Sequence, residues 1–277
     1  MVKIGIIGGS GLYELLERPR SLIVETPYGK TPRIEIGEIR GIEVAFLPRH
    51  SKPGSMKVSH AVPPHKINYR ANIFGFKKLG VERIITTQAV GAINHAIPPG
   101  TFAILTQFID MTKGRKCTFY EGEEVVLPDG QKIPGVVHID VTQPYCPEIR
   151  KALEEACKSV GVKYVSSATY VCTEGPRFET PAEIRAYKLM GADVVGMTNV
   201  PEVILARELG ICYAAIAMST NFAAGTGPKK ITHEEVAEIF KRNVNNVRKI
   251  IAECVTKIPK IRKCNCAYAL KGAIAEQ

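Results

Sequence analysis

Two short stretches of the sequence carry groups that bind an oxyanion. The glycine-rich segment "GIIGGSGL" offers backbone N–H groups and the hydroxyl of Ser10. The segment "LPRHS" places Arg49 beside His50, and an arginine fork matches phosphate through two hydrogen bonds. Taken alone, each segment is equally open to a plain interpretation, a tight turn for the first and a surface ion pair for the second. The first is not a dinucleotide-binding motif, because no third glycine follows Gly11 at the required spacing.

A third stretch, "EGPRFET", pairs an aromatic ring with a carboxylate. Phe178 offers a face that stacks on a planar heterocycle, and Glu179 offers oxygens that accept N–H bonds from its edge. A core phenylalanine and a glutamate at a helix start give the same pattern. Gln88 and Thr198, at the ends of two apolar segments, strengthen the anion-binding interpretation of Arg49.

A fourth stretch, "AMSTNFAAGTGPKKITHEEV", runs from an apolar segment into an amphipathic one. The Asn221 amide offers hydrogen-bond donors and an acceptor, and a neutral His233 imidazole offers one donor and one acceptor. The alternative is that Asn221 shapes a turn and that His233 begins a helix without touching a ligand.

Strand-like and helical patterns alternate along the whole chain and must position these groups. The strand-like runs are "KIGIIG", "IEVAFLP", "RIITTQAV", "FAILTQF", "VVHIDV", "KYVSSATYV", "DVVGM" and "CYAAIAM". The helical patterns are "PHKINYRANIFGFKKLG", "PEIRKALEEACKSVG", "TPAEIRAYKLMG", "VPEVILARELG" and "THEEVAEIFKRNVNNVRKIIAECV". Many strands are apolar on both faces, which predicts an α/β fold in one domain, with a mixed central β-sheet flanked by helices.

In sheets of this class, ligands bind beyond the carboxyl ends of the strands. Polar residues and glycines crowd six such places, at residues 8–11, 48–50, 88–91, 174–179, 197–198 and 219–224. We therefore expect the four stretches to meet at one edge of the sheet.

Length and composition favour one enzyme-sized unit. The chain has 277 residues, of which 45% are hydrophobic, enough for a large core. No apolar run approaches the roughly 18 residues of a membrane span, and the segment "MVKIGIIGGSG" has too short an apolar stretch for a signal peptide. We expect a cytoplasmic protein with no membrane partner.

The net charge of +10 comes from scattered lysine and arginine residues. Scattered charge does not indicate a nucleic-acid partner, whereas a small anionic substrate fits it. A charged surface of this kind is also typical of thermophile proteins.

Eight cysteines are spread along the chain, and only Cys264 and Cys266 lie close in sequence. No spacing of Cys and His residues indicates a zinc site. Buried apolar roles are the default for Cys157, Cys172, Cys212 and Cys254. A bridge between Cys264 and Cys266 would be strained and easily reduced, and two free surface thiols are the alternative.

Eight segments, taken together and in order, carry a resemblance to a known family. They are "GIIGGSGL", "PRHS", "HKINYRANI", "TTQAVGAIN…IPPG…QFIDMT", "HID…PYCPEIR", "EGPRFETPAEIR", "GADVVGMTNVPEVILARELGICYA" and "THEEV". The chain resembles the trimeric purine nucleoside phosphorylase and 5′-methylthioadenosine phosphorylase family from Lys3 to about Val255. The resemblance implies the nucleoside phosphorylase fold over residues 1–258, followed by a C-terminal tail, residues 259–277, with the Cys-x-Cys pair.

The resemblance also implies roles for particular residues. The family's phosphate-binding positions correspond to Ser10, Arg49, His50, Gln88, Ala89 and Thr198, with Ala89 acting through its backbone. Met197 stands where the family packs the ribose and Phe178 where it stacks the purine, whereas His138 resembles a residue that reaches the neighbouring subunit's site. Homotrimers, and hexamers in some archaeal relatives, are therefore expected. Phosphorolysis uses inorganic phosphate as co-substrate and needs no metal or other cofactor, so none is expected.

The choice of substrate within the family falls on the fourth stretch. Methylthioadenosine phosphorylases resemble one another in carrying two aspartates where this chain has Asn221 and Ala223. Asparagine suits the 6-oxo group and N7 of hypoxanthine or guanine, and Glu179 suits their N1–H. His233 matches the histidine that bonds the 5′-hydroxyl in the inosine and guanosine enzymes. The resemblance is thus closest to the 6-oxopurine nucleoside phosphorylase branch.

Three alternatives stay open beside inosine and guanosine phosphorolysis. The first is phosphorolysis of methylthioadenosine or methylthioinosine, because "GGSGL", "PRHS" and "QFIDMT" look more like the methylthioadenosine branch. The second is a nucleosidase that uses water, and the third is a nucleotide-binding protein without catalysis.

Overall fold

The computed structural model describes residues 3–8, 16–227 and 232–275. Its strands, in chain order, are β1 (Ile4–Gly8), β2 (Glu17–Leu22), β3 (Glu25–Thr26), β4 (Gly29–Lys30), β5 (Ile34–Ile39), β6 (Ile42–Pro48), β7 (Arg83–Ala92), β8 (Phe102–Met111), β9 (Val125–Val126), β10 (Lys132–Ile133), β11 (Tyr164–Thr173), β12 (Val194–Gly196) and β13 (Cys212–Phe222). Its helices are α1 (Tyr69–Lys78), α2 (Pro147–Val160), α3 (Pro181–Leu189), α4 (Glu202–Glu208) and α5 (His233–Lys257), and short 3-10 helices span Pro64–Lys66 and Asn265–Tyr268.

A nine-stranded mixed sheet forms the centre, in the order β12-β11-β8-β13-β7-β1-β6-β5-β2. β12 pairs in parallel with β11 and also antiparallel with β7, so these strands, with β13 and β8, close into a ring. β1, β6, β5 and β2 extend from the ring as an open sheet. The mixed α/β architecture is the one that the sequence predicts.

Helices cover both faces of the sheet and explain why its inner strands are apolar throughout. Residues of α1 and α4 pack into one core cluster, and residues of α2 and α5 pack into the other. Every residue of β1 is buried between them. At Gly5 a Cβ atom would lie 2.6 Å from the ring of Phe76 on α1, so only glycine permits this approach of helix and strand.

Local signals in the sequence account for the helix ends. The side chain of Asn68 accepts a hydrogen bond from the Ala71 N–H and caps α1. Thr180 and Glu183 form a reciprocal capping box at the start of α3. Gly161, with φ of 74°, ends α2 in the left-handed conformation that glycine adopts easily.

One strand predicted from the sequence is wrong. The run "VVHIDV", residues 136–141, is a loop whose Val137 forms one isolated bridge with Ile274. Its backbone is bonded by the C-terminal tail, not by the sheet, because the His138 N–H donates to the Ala273 carbonyl at 2.8 Å. The apolar pattern of a segment does not show whether its backbone bonds the central sheet or the C-terminal tail.

The edge strand β2 has no apolar run that would predict it from the sequence. β2 has the sequence "ERPRSL" and is largely exposed, as suits an edge strand that is paired on one side only.

Of the helices that the structure describes, none combines the length and apolar character that crossing a membrane requires.

Candidate active site

The ends of β1 and β6 lie side by side, next to the part of β7 that carries polar residues. Gly8 at the end of β1 pairs with Pro48 at the end of β6, and the Arg49 N–H donates to the Gly8 carbonyl at 3.3 Å. On the other side of β1, β7 carries Gln88 and Ala89 past the last β1 pairing, which joins Ile7 to Thr86.

A hydrogen-bonded polar cluster joins three residues expected to bind phosphate. The Thr198 hydroxyl donates to Gln88 Oε1 at 2.6 Å, and Arg49 Nη1 lies 3.5 Å from Thr198 Oγ. All three side chains are less than 10% exposed. Ala89, by contrast, is exposed between two buried neighbours of β7. Among the described strands, β12 pairs with β7 only from Gly91 onward, so the β7 backbone at Ala89 faces no strand on that side.

Arg49 is also one half of a buried ion pair that the sequence did not indicate. Its Nε and Nη2 donate to the two oxygens of Glu202 at 3.1 and 3.0 Å. Nη1 donates to the Thr87 carbonyl at 3.0 Å, and Nη2 also donates to Thr86. Burial acts to lower the pKa of Arg49, but Glu202, together with Tyr213 and Tyr69, more than offsets this and raises the pKa, so the guanidinium stays charged.

These contacts give each of the five N–H groups of Arg49 an acceptor. The longest of them is the 3.5 Å contact from Nη1 to Thr198 Oγ. An anion beside Thr198 would therefore contact Arg49 through Nη1, while Glu202 fixes the rest of the fork. Glu202 is fully buried at the start of α4, where the helix dipole favours a carboxylate.

His50 is held as a neutral imidazole. Its Nδ1 lies 2.8 Å from the Val62 carbonyl, and its ring stacks on His60 with centroids 4.1 Å apart. Burial lowers the pKa of His50 to about 3, so Nδ1 carries the proton that it donates to Val62. Nε2 is then an acceptor, which leaves the backbone N–H of His50 as the group suited to an anion.

A cleft of about 470 Å³ opens at the ends of β8 and β11, a volume within the range of small-molecule sites. Met111 and Lys113 line it after β8, and Thr173 and Glu179 line it after β11. It therefore lies at the carboxyl ends of strands, where the sequence places the ligand.

Phe178 is not a core phenylalanine, and Glu179 is not the acidic residue of a helix start, which were the alternatives to a ligand-binding role. Phe178 is 40% exposed and is not a core residue. Glu179 precedes α3, whose cap is formed by Thr180 and Glu183, so Glu179 is not the acid of the helix start. It is buried, accepts a hydrogen bond from the Thr173 hydroxyl at 2.6 Å, and has a pKa that burial raises. A buried carboxylate thus borders the cleft beside an exposed aromatic ring.

Arg115 organises the walls of the cleft, and no pattern in the segment "MTKGRKC" distinguishes it from a surface arginine. Its Nη1 donates to the carbonyls of Met197 and Val200 at 2.9 and 2.7 Å. Its Nη2 donates to the carbonyls of Thr173 and Glu174 at 3.1 and 2.8 Å. Arg115 therefore ties the segment expected to hold ribose to the segment expected to hold purine.

Two glycines allow the close packing around Met197 and Thr198. A Cβ at Gly175, which has φ of +63°, would lie 2.6 Å from the sulfur of Met197. A Cβ at Gly196 would collide with the hydroxyl of Tyr170, and that hydroxyl accepts a hydrogen bond from the Thr198 N–H at 3.3 Å. Both glycines thus fix backbone positions next to the cleft.

Asn221 lies at the end of β13 with its amide oriented by neighbours. Its Oδ1 accepts from the Thr220 hydroxyl at 2.9 Å, and its Nδ2 donates to the Phe222 carbonyl at 2.8 Å. One N–H and one lone pair of the amide remain for a ligand. Ala223 lies instead in a small apolar cluster with residues such as Ile184.

The remaining predicted site residues either make no contact with the polar cluster or lie outside the described residues. His138 is exposed in the loop that the tail binds. Ser10 is outside the described residues, and so is the side chain of His233, whose backbone begins α5.

Comparison with known proteins agrees with this geometry. Residues 3–256 match the family model described as "Phosphorylase superfamily". The chain is 53% identical over 274 residues to the 6-oxopurine nucleoside phosphorylase of Pyrococcus furiosus, with 99% of both chains covered. It is 52% identical over 278 residues to the probable 6-oxopurine nucleoside phosphorylase of Thermococcus kodakarensis, with 100% of both covered. A solved methylthioadenosine phosphorylase from an antarctic soil metagenomic library superposes with a TM-score of 0.88 at 36% identity, covering 99% of this chain and 92% of that one.

Proposed function

This chain belongs to the phosphorylase superfamily, and from that premise we propose that it cleaves the 6-oxopurine nucleosides inosine and guanosine with phosphate. The products are the free base and ribose 1-phosphate, a reaction of purine salvage. The observation that supports this most is buried Glu179 in the lining of the cleft, next in sequence to exposed Phe178. The Thr173 hydroxyl, which bonds Glu179, also lies 3.5 Å from the Gly196 carbonyl, two residues before Thr198 of the polar cluster.

The division of charge in the reaction suits this arrangement. When the N-glycosidic bond breaks, positive charge grows on the ribose and negative charge grows on the departing purine. Phosphate held by Thr198, Arg49 and the backbone at Ala89 would stabilise and attack the ribose cation. Hydrogen bonds to the purine would stabilise the leaving group at the other end of the cleft. Met197 would pack against the ribose between them.

Glu179 favours a 6-oxopurine over adenine. Hypoxanthine and guanine carry an N1–H that donates to a carboxylate, whereas N1 of adenine is an acceptor that a carboxylate repels. One oxygen of Glu179 is taken by Thr173, which leaves the other for N1–H. A buried acceptor left without a donor destabilises the wrong complex, and this penalty supplies specificity.

Asn221 supports the same choice. Its bonds to Thr220 and Phe222 fix which side of the amide is the donor. The free N–H would donate to the 6-oxo group, and the free lone pair of Oδ1 would accept from N7 as that nitrogen is protonated. Ala223, at the second of the two positions where methylthioadenosine phosphorylases resemble one another in carrying aspartate, lies among apolar side chains and offers no carboxylate to a 6-amino group.

Methylthioadenosine or methylthioinosine phosphorolysis is the second candidate, because the solved structure described above is a methylthioadenosine phosphorylase. The family resemblance at His233 favours inosine and guanosine over these methylthio nucleosides. An imidazole can form a hydrogen bond with a 5′-hydroxyl, but it gains little from a thioether.

The proposal extends to assembly and surroundings. We infer a homotrimer or a homohexamer, in which His138 reaches the neighbouring subunit's site, in the cytoplasm of a thermophile. No cofactor is required beyond phosphate as co-substrate. Light scattering of the purified protein measures the assembly, and a monomer would contradict it.

Initial rates of base release test the activity. Inosine with phosphate, inosine with arsenate and inosine without either anion should separate phosphorolysis from its alternatives. We expect hypoxanthine release only with phosphate or arsenate, and ribose 1-phosphate only with phosphate. Release in water alone would indicate a nucleosidase, and no release with any purine nucleoside would indicate a binding protein.

A further inference from the structure

Four cysteine sulfurs converge near the start of β13, at the opposite end of that strand from Asn221. Cys146 precedes α2, Cys212 begins β13, and Cys264 and Cys266 belong to the C-terminal tail. All four Sγ atoms lie within 4.8 Å of one another. The Sγ of Cys264 is 3.4 Å from that of Cys212 and 3.7 Å from that of Cys146. Three of the four side chains are buried, and Cys264 is half-buried.

These distances match the edges of a metal-centred tetrahedron. A disulfide joins two sulfurs at about 2.05 Å. Four thiolates at about 2.3 Å from one zinc ion lie roughly 3.8 Å apart, close to the separations found here. We propose that Cys146, Cys212, Cys264 and Cys266 bind one Zn²⁺ ion in a closed, structural site.

The surroundings suit the charge of such a site. Zn²⁺ with four thiolates carries a net charge of −2, and binding releases the thiol protons. Cys146 stands at the N-terminus of the 14-residue helix α2, where the helix dipole favours negative charge. The approach to the pair in the tail is basic, with Lys260, Arg262 and Lys263.

The ion would fasten the tail to the core. Around the cluster, the Lys263 N–H donates to Glu148 Oε1 at 2.8 Å, and Arg262 Nη1 donates to the Gly210 carbonyl at 3.0 Å. Further along, the tail bonds the loop of His138 through Ala273. The site does not take part in the reaction, because Cys212 and Asn221 stand at opposite ends of β13, roughly 30 Å apart at about 3.3 Å per residue.

Metal content of the wild-type protein tests the proposal directly. The protein, purified under reducing conditions, is incubated with zinc sulfate or cobalt chloride and then freed of excess metal on a desalting column. We expect one zinc per chain, and with cobalt the thiolate charge-transfer bands and strong visible bands of a tetrahedral complex. Retention of neither metal by fully reduced protein would overturn the proposal. The proposal would also be overturned if protein purified without added oxidant had an intact mass that showed two disulfide bonds, through the loss of two hydrogens for each bond.

Paired variants identify the ligands. Cys264→Ala/Cys266→Ala should lose the metal, whereas Cys157→Ala/Cys254→Ala, which removes two buried thiols outside the cluster, should keep it. A strong chelator should lower the Tm of the wild type by roughly 5 °C or more and leave the Tm of the first variant unchanged. If the first variant does not fold, the zinc and cobalt measurements on the wild type still decide. Equal zinc retention by both variants would refute the assignment of the ligands, whatever the substrate proves to be.

Discussion

Replacement of Glu202 by glutamine tests whether Arg49 stands beside the bound phosphate. Glu202 is fully buried and accepts four hydrogen bonds, two from Arg49, one from Tyr213 at 2.7 Å and one from Thr86 at 3.2 Å. In Glu202→Gln, an amide NH2 group replaces one of these oxygens. The two hydroxyls can rotate to accept from it, but the guanidinium of Arg49 has only donors.

The magnitude follows from this loss. Removing one partner of a buried ion pair destabilises a protein by about 3–5 kcal/mol. Because glutamine keeps one oxygen for Arg49, we expect about 3 kcal/mol and a Tm lower by roughly 6–12 °C. The unpaired cation then has phosphate as its only countercharge. Phosphate should bind the variant about fivefold more tightly, equivalent to about 1 kcal/mol, and should raise its Tm more than that of the wild type.

Thermal unfolding with and without saturating phosphate, together with calorimetric titration, measures both effects. Glu208→Gln is the matched control, because Glu208 is buried on the same helix but bonds Thr118 and Phe119 instead of Arg49. An equal phosphate-induced Tm shift in Glu202→Gln, Glu208→Gln and the wild type would refute the placement of phosphate beside Arg49.

Three further predictions concern two carboxylates, Glu179 and Glu208, and the amide of Asn221. Glu179→Gln should lower kcat/KM for inosine by about 10- to 100-fold, the loss of a charged hydrogen bond of about 1.5–3 kcal/mol, and affect adenosine less; an equal fall for both in initial-rate assays would contradict the role of Glu179. Asn221→Asp should move the inosine-to-adenosine ratio of kcat/KM toward adenosine by about tenfold, and also lower both values because an aspartate oxygen would face the Phe222 carbonyl; an unchanged ratio would remove Asn221 as the selector. Burial raises the pKa of Glu208 to about 7 from its usual 4.5. Between these values the folded state holds a proton that the unfolded state has lost, so stability should fall as pH rises from about 4.5 to 7, by up to about 3 kcal/mol from this group. Urea unfolding at both ends of that range measures the fall, and Glu208→Gln should lose this component.

Where the signal is local, the sequence predicts some of the residues that the fold brings together. Polar residues after the apolar runs of β6 and β12 are Arg49 and Thr198, and both belong to one cluster with Gln88, which lies within β7. The class of fold follows from the same runs, because strands that are apolar on both faces require helices on both sides. The strand predicted at residues 136–141 is wrong because the backbone of this segment bonds the C-terminal tail, which is distant in sequence.

Contacts between distant segments could not be predicted from one sequence. Glu202 lies 153 positions from Arg49, and the segment around it predicts only a helix. Arg115 sits in a basic loop and gains its importance only where two strand ends pass on either side of it. The four-cysteine cluster gives no zinc-binding spacing, because Cys146 and Cys264 are 118 positions apart.

Comparison of kcat/KM for inosine, guanosine, adenosine and methylthioadenosine, measured with the wild-type protein at saturating phosphate, tests the central claim most directly. With Glu179 accepting from N1–H and Asn221 donating to the 6-oxo group, inosine and guanosine should exceed the two 6-aminopurine substrates by about tenfold or more. A preference of about tenfold or more for methylthioadenosine would contradict the proposed function.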